Sequence, residues 1–156
     1  MQHFCLAAIF LAASSPVFAE TVVTERVSYG QANNFFDPLS NNLIAYRTET
    51  TYDTFEQPDD DRLKLAAMHC FGSFTIVRGI TTGGGTCTMT DVNGDRVLQN
   101  WRIDNVALGK GFGTWNIVGG TGAHEGISGR GYYLNEETAR SGNVKITTTG
   151  TLTWPD

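Results

Sequence analysis

The sequence predicts an all-β fold, a single eight-stranded antiparallel β-barrel, from three observations. Apolar and polar residues alternate with a period of two along many segments, as they do in half-buried strands. No window carries a sustained apolar stripe of helical period and length, so crossover helices are not expected. Glycine is abundant, with 18 of 156 residues, which favours many turns. Closing the sheet would remove its exposed edges, and a β-sandwich is the competing architecture.

Eight segments qualify as strands when they are taken in chain order. They span residues 21–29, 43–55, 63–78, 86–92, 96–104, 113–118, 129–134 and 144–154. The connections between them carry Gly, Asn, Pro and Asp, as turns require. We expect the longest connection over residues 30–42 and a solvated acidic one over residues 56–61, which includes Asp59-Asp60-Asp61.

The last strand and one hairpin carry the clearest patterns. Between residues 144 and 154, the apolar residues Val144, Ile146, Leu152 and Trp154 occupy even positions and polar residues occupy the odd ones. This alternation predicts one buried and one solvated face. Asn93-Gly94 separates two such segments and is a strong hairpin signal, which we favour over a calcium loop because Gly94 does not stand at the position that an EF-hand needs.

The charge balance and length exclude several classes of protein. The chain has 16 acidic and 11 basic residues and a formal charge of -5, whereas a nucleic-acid binder needs a basic surface. Apolar residues make up 40% of the chain, too many for intrinsic disorder. The length suits one domain.

The first nineteen residues read as an export signal. Residues 4–13 form an apolar run too short to span a bilayer, and small residues follow up to Ala19. We therefore expect a signal peptide over residues 1–19, a barrel domain over 20–156, and a periplasmic or secreted protein without a membrane span. A buried N-terminal core segment is the alternative, because no Lys or Arg precedes the run.

Cys70 and Cys87 are the two cysteines of the expected mature chain. An even number in an exported protein suggests a disulfide, and the turn-rich interval between them would bring the sulfurs together. Two buried free thiols or a metal pair are the alternatives. A metal site is not expected, because two cysteines without further ligands make a poor zinc site.

A glycine-rich stretch follows the strand that ends at Val118. It lacks the lysine of a phosphate-binding loop and misses the spacing of a dinucleotide-binding motif. Its glycines are Gly119, Gly120, Gly122, Gly126 and Gly129.

This stretch resembles the corner motif of the allene oxide cyclase-like barrel superfamily, which includes the dirigent proteins. In that family a strand leads into Gly-Gly-(Ser/Thr)-Gly, and His124 stands here where the family often has Phe or Tyr. The resemblance extends to a group of exported bacterial relatives around His69-Cys70, Cys87 and Asp91-x-Asn93-Gly94-Asp95.

The resemblance implies an eight-stranded barrel with a central cavity. The cyclases of the family rearrange an unsaturated fatty-acid epoxide without a cofactor, and the dirigent proteins orient phenoxy-derived partners. Relatives form trimers and dimers, which makes a homo-oligomer plausible. The glycines are structural in the family, because they allow a tight corner. No catalytic residue of the family matches a position here, and fold alone does not fix function.

Glu25 is the one weak candidate for a catalytic residue. It shares a strand face with Val23, Val27 and Tyr29, and inside an apolar lumen it could act as a base. An edge position of the first strand, or strand parity shifted by one residue, would instead leave Glu25 in water.

Four residues are candidates for ligand binding: Tyr46, Tyr52, Gln99 and Trp101. They lie on predicted strand faces with apolar neighbours and could supply an apolar pocket with a few polar groups. Ordinary core packing is the alternative.

Two histidines receive a structural interpretation. His69 and Cys70 are adjacent in a strand and point to opposite faces, so they do not form a catalytic pair. His124 lies in the glycine loop, where we expect it to be exposed and inert.

Two functions follow from these observations. One is an exported barrel that binds a small apolar or aromatic molecule and could isomerise or cyclise it without a cofactor. The other is a non-enzymatic exported module that binds a protein partner, as an inhibitor or surface factor, because no recognisable catalytic set is present.

Overall fold

The chain forms one closed antiparallel barrel of eight strands, as predicted, rather than a sandwich. The structure, a computed structural model, describes residues 19–59, 61–137 and 142–155. The strands are β1 (Glu20–Ser40), β2 (Leu43–Glu56), β3 (Leu65–Val77), β4 (Ile80–Asp91), β5 (Arg96–Ala107), β6 (Lys110–Gly120), β7 (Ser128–Glu137) and β8 (Asn143–Trp154). Each strand pairs with its neighbours in sequence, and β1 closes the barrel against β8.

The two ends of the barrel differ in their connections. At one end, which we call the open end, tight turns at residues 41–42, 78–79 and 108–109 join the strands. The opposite, closed end carries three longer connections, residues 57–64, 92–95 and 121–127. Leu63 of the first connection and Trp154 at the end of β8 are 0% and 1% exposed, so side chains fill this end of the lumen.

The alternation predicted for the last strand is confirmed. Val144, Leu152 and Trp154 are buried, and Ile146 packs against the same core. The hairpin predicted at Asn93-Gly94 is also confirmed. These residues lie in the connection between the antiparallel strands β4 and β5, and Gly94 has positive φ.

Two predicted connections are strands instead. Residues 30–40 continue β1 through a register shift at Gly30 and pair with β2, so the predicted long connection shrinks to a turn. Gly83-Gly84-Gly85 lie within β4, whereas the turn itself is Arg78-Gly79.

Gly85 of β4 and Gly72 of β3 make room for an indole ring. A Cβ at Gly85 would lie 2.6 Å from Cζ2 of Trp101, and one at Gly72 on the adjacent strand would lie 2.3 Å from the same atom. Trp115 rests in the same way against Gly131 and Gly150. Absent side chains therefore let two tryptophan rings fill the barrel, and turn propensity is not the reason for these glycines.

Two-residue turns close three hairpins of the open end, those between β1 and β2, β3 and β4, and β5 and β6. Arg78-Gly79 and Leu108-Gly109 have positive φ at both residues, which suits the type I′ geometry that matches strand twist. Among the described residues, no loop covers this end.

The predicted signal peptide, residues 1–19, lies outside the described residues except for Ala19. In the part of the chain that the structure describes, no helix has the length and apolar character needed to cross a membrane.

Candidate functional site

A cavity of about 230 Å³ occupies the open half of the barrel. Its wall combines aromatic and aliphatic side chains with a few polar ones. Side chains from β1, β2, β3, β5, β7 and β8 include Phe36, Tyr46, Thr48, Thr50, Tyr52, Phe74, Ile76, Gln99, Trp101, Ile103, Tyr133, Asn135, Val144 and Ile146. An apolar pocket with a small number of polar groups is the usual form of a small-molecule site.

The structure brings the four predicted ligand-binding residues together on this wall. Tyr46 and Tyr52 come from β2, and Gln99 and Trp101 come from β5. They meet because inward-facing residues recur every second position along each strand. Their role in ligand binding stays a prediction.

Aromatic rings line the cavity from the opening inwards. Near the opening, Tyr46 stacks on Phe74 with ring centroids 4.4 Å apart, and Phe36 meets Tyr46 edge to face at 6.5 Å. Deeper, Trp101 and Tyr133 form a T-shaped pair at 6.4 Å. Flat aromatic molecules would find both stacking and edge contacts here.

The tyrosines of the cavity remain protonated at neutral pH. Burial, followed by the negative charge of Glu137, raises the pKa of Tyr46 to about 12. Burial also raises the pKa of Tyr52 and Tyr133 well above the ordinary value. Their hydroxyl groups are therefore hydrogen-bond donors and are not bases.

Sequence reasoning missed Phe36, Phe74, Tyr133 and Asn135. Phe36 lies in the segment that was predicted as a connection. Tyr133 alternates with Gly131 and Gly129 on one face of β7, and this parity could have identified it. The side-chain oxygen of Asn135 is buried and has no hydrogen-bond partner among the described residues.

Glu25 does not face the lumen, which corrects the prediction. Its neighbours Thr24 and Arg26 are 8% and 5% exposed and point inwards, so Glu25 is exposed on the outer face. The inward-facing positions of β1 are therefore the even ones, shifted by one residue from the apolar pattern. Polar side chains, Thr24, Arg26 and Ser28, occupy this inner face.

Cys70 and Cys87 form the predicted disulfide. They are directly paired residues of β3 and β4, and both line the cavity. His69 points away from Cys70, as expected, and its Nε2 lies 3.1 Å from the Glu49 carboxylate on the outer face.

The closed end contains a buried histidine that sequence reasoning placed in solvent. His124 is 1% exposed, and its Nε2 lies 3.0 Å from the carboxylate of Asp91. The indole N–H of Trp154 points to His124 Nδ1 at 3.3 Å. Because an indole can only donate, Nδ1 must accept, and the proton of a neutral imidazole is on Nε2.

Asp91 anchors this cluster. Burial by itself would raise the pKa of Asp91, but hydrogen bonds from His124 and from the backbone N–H groups of Asn93 and Asp95 together lower it. The carboxylate thus joins the β4–β5 hairpin to the glycine corner.

The predicted structural role of the glycine motif has a geometric basis here. Gly122 and Gly126 have positive φ, and a Cβ at Gly122 would lie 2.0 Å from Asp95. A Cβ at Gly120 would lie 2.4 Å from the carbonyl oxygen of His124, and one at Gly129 would lie 2.6 Å from that of Thr151. A Cβ at Gly119 would meet no atom within 4 Å.

A second buried polar pair was also missed. Arg26 donates to the carboxylate of Asp61 and, at 3.1 Å, to the carbonyl oxygen of Leu63. Part of the acidic connection is therefore buried, since Asp61 contacts Arg26 inside the closed end. Asp59 in the same stretch is exposed, as predicted.

Fold and cavity together define a small β-barrel closed at one end and open at the other to an aromatic-lined lumen. Two solved structures share this architecture: the pterocarpan synthase dirigent proteins GePTS1 and PsPTS1. GePTS1 superposes with a TM-score of 0.51 at 15% identity, covering 96% of this chain and 100% of that chain. For PsPTS1 the TM-score is 0.50 at 14% identity, covering 88% and 97%. The likeness establishes a dirigent-like barrel fold.

No family model and no curated protein matches the sequence.

Proposed function

We propose that this barrel binds a small apolar or aromatic molecule in the cavity of its open half. The observation that carries the proposal is the cavity itself, about 230 Å³ and lined by residues of all eight strands with aromatic rings and a few polar groups. This volume is small for a ligand site, which favours a ligand of one or two rings. The dirigent-like fold of the barrel supports the same interpretation.

The polar groups of the wall suit a ligand that carries oxygen. Protonated Tyr46, Tyr52 and Tyr133 can donate hydrogen bonds, and the amide of Gln99 can donate and accept. Among the described residues that line the cavity, Glu137 alone has a carboxylate, and it lies exposed at the opening. Binding and orientation by hydrogen bonds are thus better supported than proton abstraction.

Any reaction in this cavity would be an isomerisation or cyclisation that needs no cofactor. The tyrosine hydroxyls would polarise a carbonyl or hold a phenol in one orientation, and the aromatic walls would restrict its conformations. We assign no catalytic residue. We further propose that the chain is exported, because a disulfide such as Cys70–Cys87 persists in oxidising compartments.

Ligand binding can be tested with panels of phenolic and fatty-acid compounds. Tryptophan fluorescence and the midpoint of thermal unfolding would be followed, because a ligand at 100 times its Kd stabilises the folded state by about 2.7 kcal/mol. Thr48→Trp fills the cavity and should abolish the response. Thr51→Trp places the same ring on the outer face of β2 and serves as the matched control. Equal responses from both variants would contradict the proposal.

A second candidate function, binding of a protein partner, is favoured by the outer part of β1. Residues 33–40 pair with β2 on one edge, and the described pairing with β8 ends at Gln31. Phe35, Phe36 and Leu39 on this segment are 48%, 59% and 62% exposed. An apolar strand edge is a template for a strand from another chain, and a second copy could pair with it symmetrically.

The oligomeric state tests this second candidate. Light scattering over a range of concentrations should show a dimer that Leu39→Lys disrupts. Val23→Lys is the matched control, because Val23 is 80% exposed on the same strand near the closed end. A wild-type chain that is monomeric at every concentration would argue against pairing of β1 with a second copy of this chain.

A further inference from the structure

Two buried polar groups on β1 lack hydrogen-bond partners. Arg26 is 5% exposed, and its guanidinium donates from Nη2 to Asp61 and Leu63. Its Nε–H has no partner among the described residues, and neither has the hydroxyl of Thr24, which is 8% exposed. Buried polar groups in folded proteins are nearly always paired, so these two atoms remain available to hydrogen-bond a further group.

Both residues line a second cavity, of about 20 Å³, in the closed half of the lumen. This volume holds one water-sized group. Cys87, Gln99 and Ile146 line both the small cavity and the large one, so the two cavities are adjacent and share part of their wall. A molecule in the aromatic cavity can therefore direct one atom towards Arg26 and Thr24.

We propose that the ligand carries an uncharged oxygen, a carbonyl or hydroxyl, which occupies the small cavity. This inference rests on the proposed function and adds the chemical class of the ligand. The oxygen accepts a hydrogen bond from Nε–H of Arg26 and pairs with the hydroxyl of Thr24. The rings of the ligand then lie between Trp101 and the tyrosines.

The charge balance at the closed end selects an uncharged group. The carboxylate of Asp61 already neutralises Arg26. A ligand carboxylate would add a second negative charge in a buried place where no further cation lines the small cavity among the described residues. Burying an unpaired charge is strongly unfavourable, whereas a carbonyl or hydroxyl satisfies the two free groups without adding charge.

Three probes of matched size test the inference: 2-naphthol, 2-methylnaphthalene and 2-naphthoate. Their dissociation constants would be measured at pH 7 by tryptophan fluorescence. We expect 2-naphthol to bind about tenfold more tightly than 2-methylnaphthalene, which corresponds to one additional good hydrogen bond. We expect 2-naphthoate to bind more weakly than 2-naphthol.

Two variants at the small cavity provide a second, independent test of the inference. Thr24→Val removes the hydroxyl at constant shape, and Arg26→Lys keeps the charge opposite Asp61 but removes Nε–H. Each should weaken 2-naphthol binding about three- to tenfold and leave 2-methylnaphthalene binding unchanged. Thr21→Val, at an exposed position of the same strand, is the control and should change neither.

The outcomes separate this inference from the proposed function. Equal affinities of wild-type protein for 2-naphthol and 2-methylnaphthalene would overturn the inference while ligand binding in the cavity stands. Variants that weaken both probes equally would overturn it in the same way. Should a variant fail to fold, the wild-type comparison of the three probes decides alone. If no probe binds, the proposed function and the inference both fail.

Discussion

The two ends of this barrel differ in how their interior is occupied, although the same eight strands run through both. At the closed end, long connections fold inwards and bury polar partners, among them His124 with Asp91 and Arg26 with Asp61. At the open end, the fully described connections are two-residue turns, and aromatic side chains line a cavity of about 230 Å³. Buried polar contacts are therefore concentrated at one end of the barrel axis and open volume at the other, so substitutions at the two ends should differ in their effect on stability.

Removing Trp154 should produce the largest loss of stability. Its indole is 1% exposed, lies under the guanidinium of Arg62 and donates to His124. Trp154→Ala should lower the free energy of unfolding by about 3–5 kcal/mol, measured by urea denaturation. Phe36→Ala at the open end should cost less than about 1 kcal/mol, because Phe36 is 59% exposed. Similar losses at both ends would contradict the expected difference between them.

Loss of the disulfide should have the next largest effect. Cys70 and Cys87 are separated by 17 residues, and closing such a loop stabilises the fold by about 3 kcal/mol in the chain-entropy model. The double variant Cys70→Ala, Cys87→Ala should unfold at correspondingly lower urea concentration. Wild-type protein measured with reductant should approach the variant, and a variant as stable as the oxidised wild type would show that the bond does not stabilise the barrel.

Acid should weaken the closed end more than the open end. The pKa of Asp91 is lowered in the folded state, so its stabilisation is present above the unfolded value of about 3.9 and is lost as pH falls through the folded value. Asp91→Asn should cost about 1–3 kcal/mol at pH 7 and flatten the decline in stability below about pH 5.

Glu136 supplies the comparison at the open end. A hydrogen bond from Lys110 is the main reason that the pKa of Glu136 is lowered, but this carboxylate is solvated. Glu136→Gln should therefore change the pH dependence of unfolding much less than Asp91→Asn does. If Glu136→Gln changed the pH dependence of unfolding more than Asp91→Asn, the expectation that acid weakens the closed end more than the open end would be wrong.

Substitution of Glu25 should have the smallest effect. Because its side chain is exposed on the outer face of β1, Glu25→Gln should change the free energy of unfolding by less than about 0.5 kcal/mol. It should also leave ligand affinity unchanged. A marked loss of ligand binding in this variant would mean that Glu25 reaches the site after all.

Alternation along single strands was enough to predict the barrel and much of its wall. Val144–Trp154 shows why, since a period of two in apolar residues assigns both a strand and its buried face. The same rule placed Tyr46, Tyr52, Gln99 and Trp101 on inward faces, and all four line the cavity.

The rule failed where polar residues point inwards. On β1 the inner face carries Thr24, Arg26 and Ser28, so the apolar pattern indicated the wrong face and placed Glu25 inside. Arg26 is tolerated there because Asp61 reaches it from a distant connection, and local sequence does not encode that contact. Burial of His124 likewise depends on Asp91 and Trp154, each about 30 residues away.

Glycine also misled the prediction for a physical reason. Gly83-Gly84-Gly85 looked like a turn, but strand glycines can mark a place where a large ring needs space. Trp101 supplies that ring from the adjacent strand. The identity of the cross-strand neighbour decides between the two roles, and it is known only after the strands are paired.

The closed end also has a kinetic consequence. With Leu63 and Trp154 filling that end, a molecule in the lumen leaves by the route through which it entered. A second ligand therefore cannot enter through the closed end and displace the first. Exchange between two ligands should therefore proceed at the dissociation rate of the first, whatever the concentration of the second.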